Sequence, residues 1–142
     1  MSKIRGQKKI NSFVCLLIIN IIFLGCIPCL LARTKDYPPV VVKTIPQGGQ
    51  ENALPGSTEI KVIFSKEMTL DSWSFVRASQ ETFPEIIGHP RFLSDMRTCV
   101  LPVVLGSNKT YVLWINTEKF NNFKDASGIP AVPYLLVFET IE

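Results

Sequence analysis

Few side chains in this sequence can do chemistry, and their spacing matches no motif with a known mechanism. His89 is the only histidine, and it lies between Gly88 and Pro90 in a stretch typical of a loop. A hydrolytic triad would need His89 as the base and a carboxylate to orient it, and a papain-like pair would need a reactive Cys99. That cysteine falls within an alternating apolar stretch, with no helix N-terminus to lower its pKa. We therefore expect a loop histidine and a buried, unreactive thiol.

The acidic residues form two pairs that are each four positions apart, Glu67 with Asp71 and Glu81 with Glu85. A glycosidase needs two carboxylates that face each other across a cleft, and a domain of this size offers little cleft. We therefore expect solvated acids. A small hydrolase built on these four acids and His89 is the least favoured of the functions that the residue types allow.

The segment 121–125, Asn-Asn-Phe-Lys-Asp, resembles a calcium loop only faintly. Calcium loops place Asp or Asn at alternate positions, and the positive charge of Lys124 opposes a cation. One histidine and Cys99 cannot by themselves form a structural zinc site, which takes four ligands. The sequence thus predicts no catalytic residue, no cofactor and no metal.

The charge of the chain is concentrated at its start. The 142 residues carry 15 Lys and Arg against 12 Asp and Glu, which gives a net charge of +3. Lys3, Arg5, Lys8 and Lys9 precede an apolar block, and without them 11 basic residues remain against the 12 acidic ones. The remainder has no basic stripe of the kind that phosphate binding requires. Nucleic acid is therefore excluded as a predicted partner.

The apolar block spans residues 13–32, with Asn20 as its only strongly polar member. A short basic stretch followed by such a block is typical of an export signal. Because positive residues stay on the cytoplasmic side, the chain after Ala32 is expected outside the cytoplasm. Residues 1–32 are thus predicted to be a signal peptide, a lipoprotein signal or a membrane anchor.

Three fates of this leader remain open. The segment Phe23-Leu24-Gly25-Cys26 resembles a bacterial lipobox, in which the cysteine is diacylated and becomes the mature N-terminus. Gly25 suits that motif, whereas the two residues before it fit less well. Cleavage after Ala32 would release a secreted protein, and an uncleaved block of twenty residues would reach about 30 Å as a helix and span a bilayer. Cys26 and Cys29 form a C-x-x-C, but a redox motif needs a soluble βαβ context, which is lacking.

After a polar tether at 33–38, residues 39–142 have the texture of an all-β domain. Most of the chain's ten prolines and eight glycines fall here, between short β-branched and aromatic runs. Strands are predicted at residues 40–45, 58–65, 72–78, 91–94, 98–105, 110–116 and 134–140. About seven strands in about 100 residues predict an Ig-like antiparallel β-sandwich. Residues 117–124 alone predict one helical turn.

The alternation within these strands predicts which side chains face the core. The inward residues are Ile60, Val62, Phe64, Cys99, Leu101, Val103, Leu105, Tyr111, Leu113, Ile115, Tyr134, Leu136 and Phe138. Trp73 is predicted to be a buried indole, and Met68 is predicted to plug one end of the sandwich. Pro102 indicates an edge strand or a bulge, because proline cannot donate to a ladder.

Five stretches in order along the chain resemble one family. They are Pro-Val-Val at 39–41 leading to Ile-Pro at 45–46, Phe-Ser-x-x-Met at 64–68, the glycine and Thr-Tyr at 106–111, Asp-x-x-Gly-x-Pro at 125–130, and Phe-x-Thr at 138–140. Residues 38–140 thus resemble the bacterial Ig-like domain of S-layer and other cell-surface proteins. The resemblance implies a binding or structural role without catalysis. Residues 80–90 match none of the family's motifs.

Aromatic residues are the best candidates for a binding surface, and we single out Trp114, Phe120, Phe123 and Tyr134. Phe120, Phe123 and Tyr134 are expected near one end of the sandwich. Trp114 faces away from the inward residues of its strand, so it marks a ligand surface or is covered by the connection at 117–133.

The function predicted from the sequence is a non-catalytic binding or structural module of the cell envelope, anchored by lipid on Cys26. Its expected partners are the membrane, through the leader or its lipid, and an envelope protein or glycan. The alternative is an accessory or regulatory subunit of an envelope enzyme, either a protease or a glycan-active enzyme.

Overall fold

The computed structural model describes residues 37–142, and every regular element within this range is a β-strand. The strands are β1 (Val41–Ile45), β2 (Gly56–Phe64), β3 (Phe75–Arg77), β4 (Glu85–Ile86), β5 (Arg91–Phe92), β6 (Thr98–Leu105), β7 (Thr110–Ile115) and β8 (Tyr134–Glu139). Each of the seven predicted strands is present, and the short β4 is an additional one. The predicted leader, its lipidation site Cys26 and residues 33–36 of the tether lie outside the described residues.

The strands form two antiparallel sheets that share one core, so the predicted all-β sandwich is confirmed. In the larger sheet β1, β2 and β6 are neighbours in that order, and both β4 and β5 pair with the far side of β6. The smaller sheet has the order β3, β7, β8. The longest ladder joins β2 to β6 in continuous register, from Gly56 opposite Leu105 to Ile63 opposite Thr98.

The predicted inward faces of β2, β6 and β7 are confirmed, because their alternate apolar side chains are at most 2% exposed. On β8 the inward Leu136 and Phe138 are buried, whereas Tyr134 is half-buried at the end of the strand. Met68 is buried at 3% exposure, in agreement with its predicted role as a plug. Trp73 is only half-buried and packs against the edge of the core. The prediction of a fully buried indole there is wrong.

The centre of the core is occupied by Phe123, which belongs to the loop between β7 and β8. Its ring lies 5.0 Å from that of Phe64 and 5.1 Å from that of Phe75, between centroids. Contact with both sheets requires the loop to dip between them, and the backbone around Phe123 is irregular. The helical turn predicted at 117–124 is therefore wrong, because a helix would carry this side chain along the surface.

The edge position predicted at Pro102 is wrong, whereas the alternative, a bulge, is consistent with the four residues 87–90 that lie opposite Leu101 and Pro102 between β4 and β5. Pro102 lies opposite Glu59 in the unbroken β2–β6 ladder, and β6 has neighbours on both sides. Its carbonyl accepts a hydrogen bond from the N–H of Ile87 at 3.1 Å. Since the N–H and C=O of a strand residue point to the same side, the missing donor of Pro102 faces β4 and β5. Those two short strands are separated at this position.

The outer edges of the two sheets differ in how they are covered. Residues 49–53 run along β8, where Gly49 N–H donates to Val137 C=O at 2.8 Å and Gln50 C=O accepts from Glu139 N–H at 2.7 Å. The edge strand β1 has a register shift between Val41 and Lys43, a device that discourages edge pairing. Among the described residues no strand pairs with the outer edge of β3.

Candidate functional site

An open groove of about 720 Å³ lies between β3 and the bend that joins β4 to β5. One wall is the continuous segment 73–77, and the other wall is formed by residues of the segment 86–90. The buried Leu101 of β6 is at the floor, and Phe120 and Asn122 border the groove. The groove is thus the lateral opening between the two sheets.

The wall at 73–77 is formed partly by main chain. Side chains alternate between the two faces of a strand, yet consecutive residues all line this wall. The N–H of Asn116 donates to the C=O of Ser74 at 3.0 Å, which makes Ser74 and Asn116 a hydrogen-bonded pair. Such pairs alternate along an antiparallel ladder. The main-chain groups of Phe75 and Arg77 therefore point away from β7 and towards the groove.

The apolar part of the groove is aromatic. Trp73 is half-buried, Phe75 packs edge-on against Phe123 at an interplanar angle of 89°, and Phe120 is 48% exposed. Aromatic rings of this kind contribute large contact areas at binding sites.

Among the described residues, Arg77 is the only formally charged one that lines the groove. Its guanidinium carbon lies 5.2 Å from the centroid of the Phe83 ring, and the guanidinium also donates to the side chain of Gln80. Both contacts hold the charge in place. A second cleft of about 550 Å³ shares Arg77 and Ile86 with the groove and continues past Phe83 along the same edge.

The wall formed by residues of 86–90 approaches β6 closely. A Cβ atom built on Gly88 would lie 3.2 Å from Cγ of Pro102 and 3.3 Å from its Cβ. Glycine therefore allows this bend to rest against the proline ring. His89, next to it, is exposed on the groove wall.

Asn116 attaches the loop between β7 and β8 to the sandwich. It is fully buried with a φ of 59°, a conformation that asparagine tolerates better than most residues. Its side-chain Nδ2 donates to the carbonyls of Phe123 and Ala131, and its Oδ1 accepts from the N–H of Phe123, each at 3.0 Å. These contacts seat Phe123 in the core.

Two further hydrogen bonds attach Asn122, in the same loop, to the residues just before β3. The N–H of Asn122 donates to Oγ of Ser74 at 3.1 Å, and its C=O accepts from Oγ of Ser72 at 2.7 Å. The aromatic border of the groove is thereby held against β3.

The segment that faintly resembled a calcium loop ends in a structural turn. Asp125 Oδ1 accepts from the N–H groups of Ser127 and Ile129, both at 2.9 Å, and its Oδ2 meets Nζ of Lys66 at 2.8 Å. Burial raises the pKa of Asp125, but these hydrogen bonds outweigh it, so the pKa lies below its ordinary value of 3.8. Gly128 has a φ of 80°, a left-handed conformation that glycine adopts readily in such a turn. Within residues 37–142 no cluster of three or more His, Cys, Asp or Glu side chains is arranged to hold a metal.

The side chains that could take part in catalysis do not form one cluster. Cys99 is fully buried, as predicted, and burial raises the pKa of its thiol to about 12, so the thiolate is not formed at neutral pH. The four acids Glu67, Asp71, Glu81 and Glu85 are all exposed.

The four predicted surface aromatics do not form one surface. Phe123 is 0% exposed, so its assignment to a binding surface is wrong; it is the centre of the core. Trp114 is half-buried on the outer face of the small sheet, between Val76 and Leu135, and the loop residues 117–119 line a shallow cleft beside it. Tyr134 packs against the core, and only Phe120 lines the groove.

The sequence reasoning missed most of the groove. It assigned Trp73 to the core, left Arg77 without a role and placed no strand at Glu85 and Ile86. A signal was present in residues 80–90, the stretch that matched no motif of the resembled family, because this stretch provides much of the opposite wall.

Comparisons with models of known protein families, with curated proteins and with solved structures found no match. Among residues 37–142 there is no helical segment that is able to cross a bilayer.

Proposed function

We propose that this protein is a non-catalytic binding or structural module of the cell envelope. It is an Ig-like β-sandwich, exported by its leader and held at the membrane by lipid on Cys26. The observation that carries the proposal is the groove beside β3. Within residues 37–142 it joins an aromatic surface to a single positive charge and to main-chain groups at a sheet edge with which no strand pairs.

The strand order supports the Ig-like assignment. Constant-type Ig domains have strands A, B, E and D in one sheet and C, F and G in the other. The order β1, β2, β6 and then β4 with β5 corresponds to the first sheet, and β3, β7, β8 corresponds to the second.

A tyrosine at the corner between the sheets supports the same assignment. Ig-like sandwiches carry such a tyrosine at the start of strand F, with its hydroxyl bonded to backbone just upstream. Tyr111, at the start of β7, accepts the N–H of Gly106 on its hydroxyl oxygen at 2.6 Å.

The absence of catalysis in this proposal rests on the residues available at the groove. Of the described residues that line the groove, His89 is the one of a type that commonly serves as a general base, and none of them is a carboxylate that could orient it. The buried Cys99 is protonated and inaccessible to substrate. Hydrolysis of a panel substrate that His89→Ala abolished would contradict this part of the proposal.

In-cell crosslinking tests the binding function. A photoreactive amino acid replaces Phe120 at the groove in one full-length variant, and Leu54 in a matched variant. Leu54 is 72% exposed and lies in the segment beside β8, outside the groove lining. We expect adducts of defined mass from position 120 that are missing from position 54.

The identity of those adducts separates the two functions that the sequence leaves open. A structural envelope protein or a glycan supports the module as proposed, and an envelope protease or glycan-active enzyme supports the accessory subunit. Equal, diffuse labelling from both positions, or none from position 120, would count against binding at the groove.

A further inference from the structure

We propose that the groove binds an extended peptide segment of a partner protein, which pairs with β3 as an added strand and places a carboxylate against Arg77. This inference rests on the proposed binding function and names the ligand class of the same groove. An added strand obtains its affinity from main-chain hydrogen bonds and its selectivity from pockets for alternate side chains.

The register of β3 leaves main-chain groups free to pair with a peptide. The N–H and C=O groups of Phe75 and Arg77 face the groove, two residues or about 6.7 Å apart along the strand. Within residues 37–142 no strand satisfies them. Variable-type Ig sandwiches place an additional strand at this edge of the C, F, G sheet, so the architecture leaves room for one here.

An added strand would direct alternate side chains of the peptide to the same face. Two residues of the peptide that lie opposite Phe75 and Arg77 are two positions apart, so their side chains point to the same side. The side chain opposite Phe75 reaches the surface of Trp73 and Phe120, which suits an apolar group. The one opposite Arg77 meets a guanidinium that packing on Phe83 already holds in place.

Charge complementarity selects a carboxylate at the second position. Within residues 37–142, Arg77 is the only formally charged side chain in the groove lining, and Glu85 and Lys109 line the second cleft instead. A carboxylate can bind a guanidinium through two parallel hydrogen bonds. The predicted ligand motif is therefore one apolar and one acidic residue, separated by a single residue, in an extended chain.

A peptide fits this wall better than a carbohydrate does. The wall offers the main-chain donors and acceptors of Phe75 and Arg77 at the two-residue repeat of a β-strand. A sugar chain can stack on Trp73 or Phe120, but its hydroxyl groups do not follow that repeat. Carbohydrate binding is accordingly the competing outcome in the test.

The test uses full-length protein in detergent micelles with Trp114→Phe, so that Trp73 is the remaining tryptophan and its fluorescence reports on the groove. The probes are two threonine octapeptides that contain one glutamate and one leucine two positions apart, in either order. We expect one order to bind. Changing its glutamate to glutamine weakens binding about tenfold, and N-methylation of an amide that faces β3 weakens it at least as much.

Arg77→Ala is expected to abolish the preference for glutamate over glutamine while leaving N-methylation harmful. Arg97→Ala, an exposed arginine that does not line the groove, serves as the matched control and retains the preference. If Arg77→Ala fails to fold by circular dichroism, Arg77→Gln replaces it, because it keeps a side chain that can cover Phe83.

Two results overturn the proposal. One is that neither peptide changes Trp73 fluorescence, or that N-methylation and the glutamine change have no effect. The other is that a uronic acid hexasaccharide binds in place of the peptides. In both cases, crosslinked adducts from position 120 in cells would still support the proposed binding function. If those adducts were also missing, the binding function would be contradicted too.

Discussion

Two buried polar side chains, Asn116 and Asp125, organise the loop between β7 and β8. Each is satisfied by several hydrogen bonds to backbone or to a charged partner, as a buried polar group must be. Asn116 seats Phe123 in the core, and Asp125 closes the turn at residues 125–129, just after Phe123. Because Phe123 contacts Phe75 of the groove wall, Asn116 and Asp125 support the groove without lining it.

Asp125→Asn is expected to lower the free energy of unfolding by about 1–3 kcal/mol at pH 7. The asparagine oxygen still accepts from Ser127 and Ile129, but the ion pair with Lys66 is lost. The pKa of Asp125 is lowered in the folded state, so its contribution is present above the unfolded pKa and disappears as the pH falls through the folded pKa. Urea unfolding from pH 7 down to pH 2.5 measures this difference.

The free energies of unfolding of the wild type and of Asp125→Asn should therefore converge in acid, at a pH below the ordinary Asp pKa of 3.8. Asp125→Ala serves as the control, because it also removes the acceptor for the turn and should remain less stable than the wild type at every pH. A constant difference between the wild type and Asp125→Asn over the whole range would refute the role of the charge.

At the level of elements, the groove exists because the strands around it are short. β3 has three residues, and β4 and β5 have two each. Pro102 lacks the N–H that would donate to a strand on this side of β6, and the pairing of β4 and β5 with β6 is interrupted there. The bend between β4 and β5 can therefore stand away from β3, and a cleft remains between the sheets.

The corner between β6 and β7 is held by Tyr111, and Tyr111→Phe tests its contribution. The variant keeps the stacking on Phe138, whose ring centroid lies 5.3 Å away, but loses the acceptor for the N–H of Gly106. We expect a loss of about 0.5–1.5 kcal/mol, the usual net value of one hydrogen bond. Chemical denaturation at neutral pH measures it.

Tyr37→Phe is the matched control, because Tyr37 is 62% exposed, and it should leave stability unchanged. An equal loss in both variants, or no loss in Tyr111→Phe, would show that the corner hydrogen bond contributes nothing.

At the scale of the whole molecule, the proposal joins a leader that directs export to a nearly neutral β-domain that binds. The basic residues at 3–9 account for the net positive charge, which leaves the β-domain without the long-range attraction to anions that a basic domain would have. The binding proposed at the groove therefore depends on local contacts, among them those of Arg77.

The proposed lipid anchor predicts the mature N-terminus. Mass spectrometry of the membrane fraction should find diacylated Cys26 as the first residue, and Cys26→Ala should abolish the modification. Cys29→Ala, three residues further on, is the control and should leave it intact. An unmodified N-terminus at Arg33 in the wild type would instead indicate ordinary cleavage and a secreted domain.

The sequence by itself determined seven of the eight strands and most of the strand side chains that face the core. The alternation in 58–65, 98–105 and 110–116 is a local property with a period of two, and burial of one face follows from it wherever the strand pairs. The turn at Asp125 and Gly128 was predictable for the same reason, because the residues that form it are close together in the chain.

Only the tertiary structure decided the rest. The interior position of Pro102, the insertion of Phe123 between the sheets and the uncovered edge of β3 all depend on which strands become neighbours. Such contacts join residues far apart in sequence, and no local pattern encodes them. Arg77 and residues 86–90 are an ordinary surface charge and an unassigned stretch in the sequence, and they become the two sides of one groove only when the two sheets pack together.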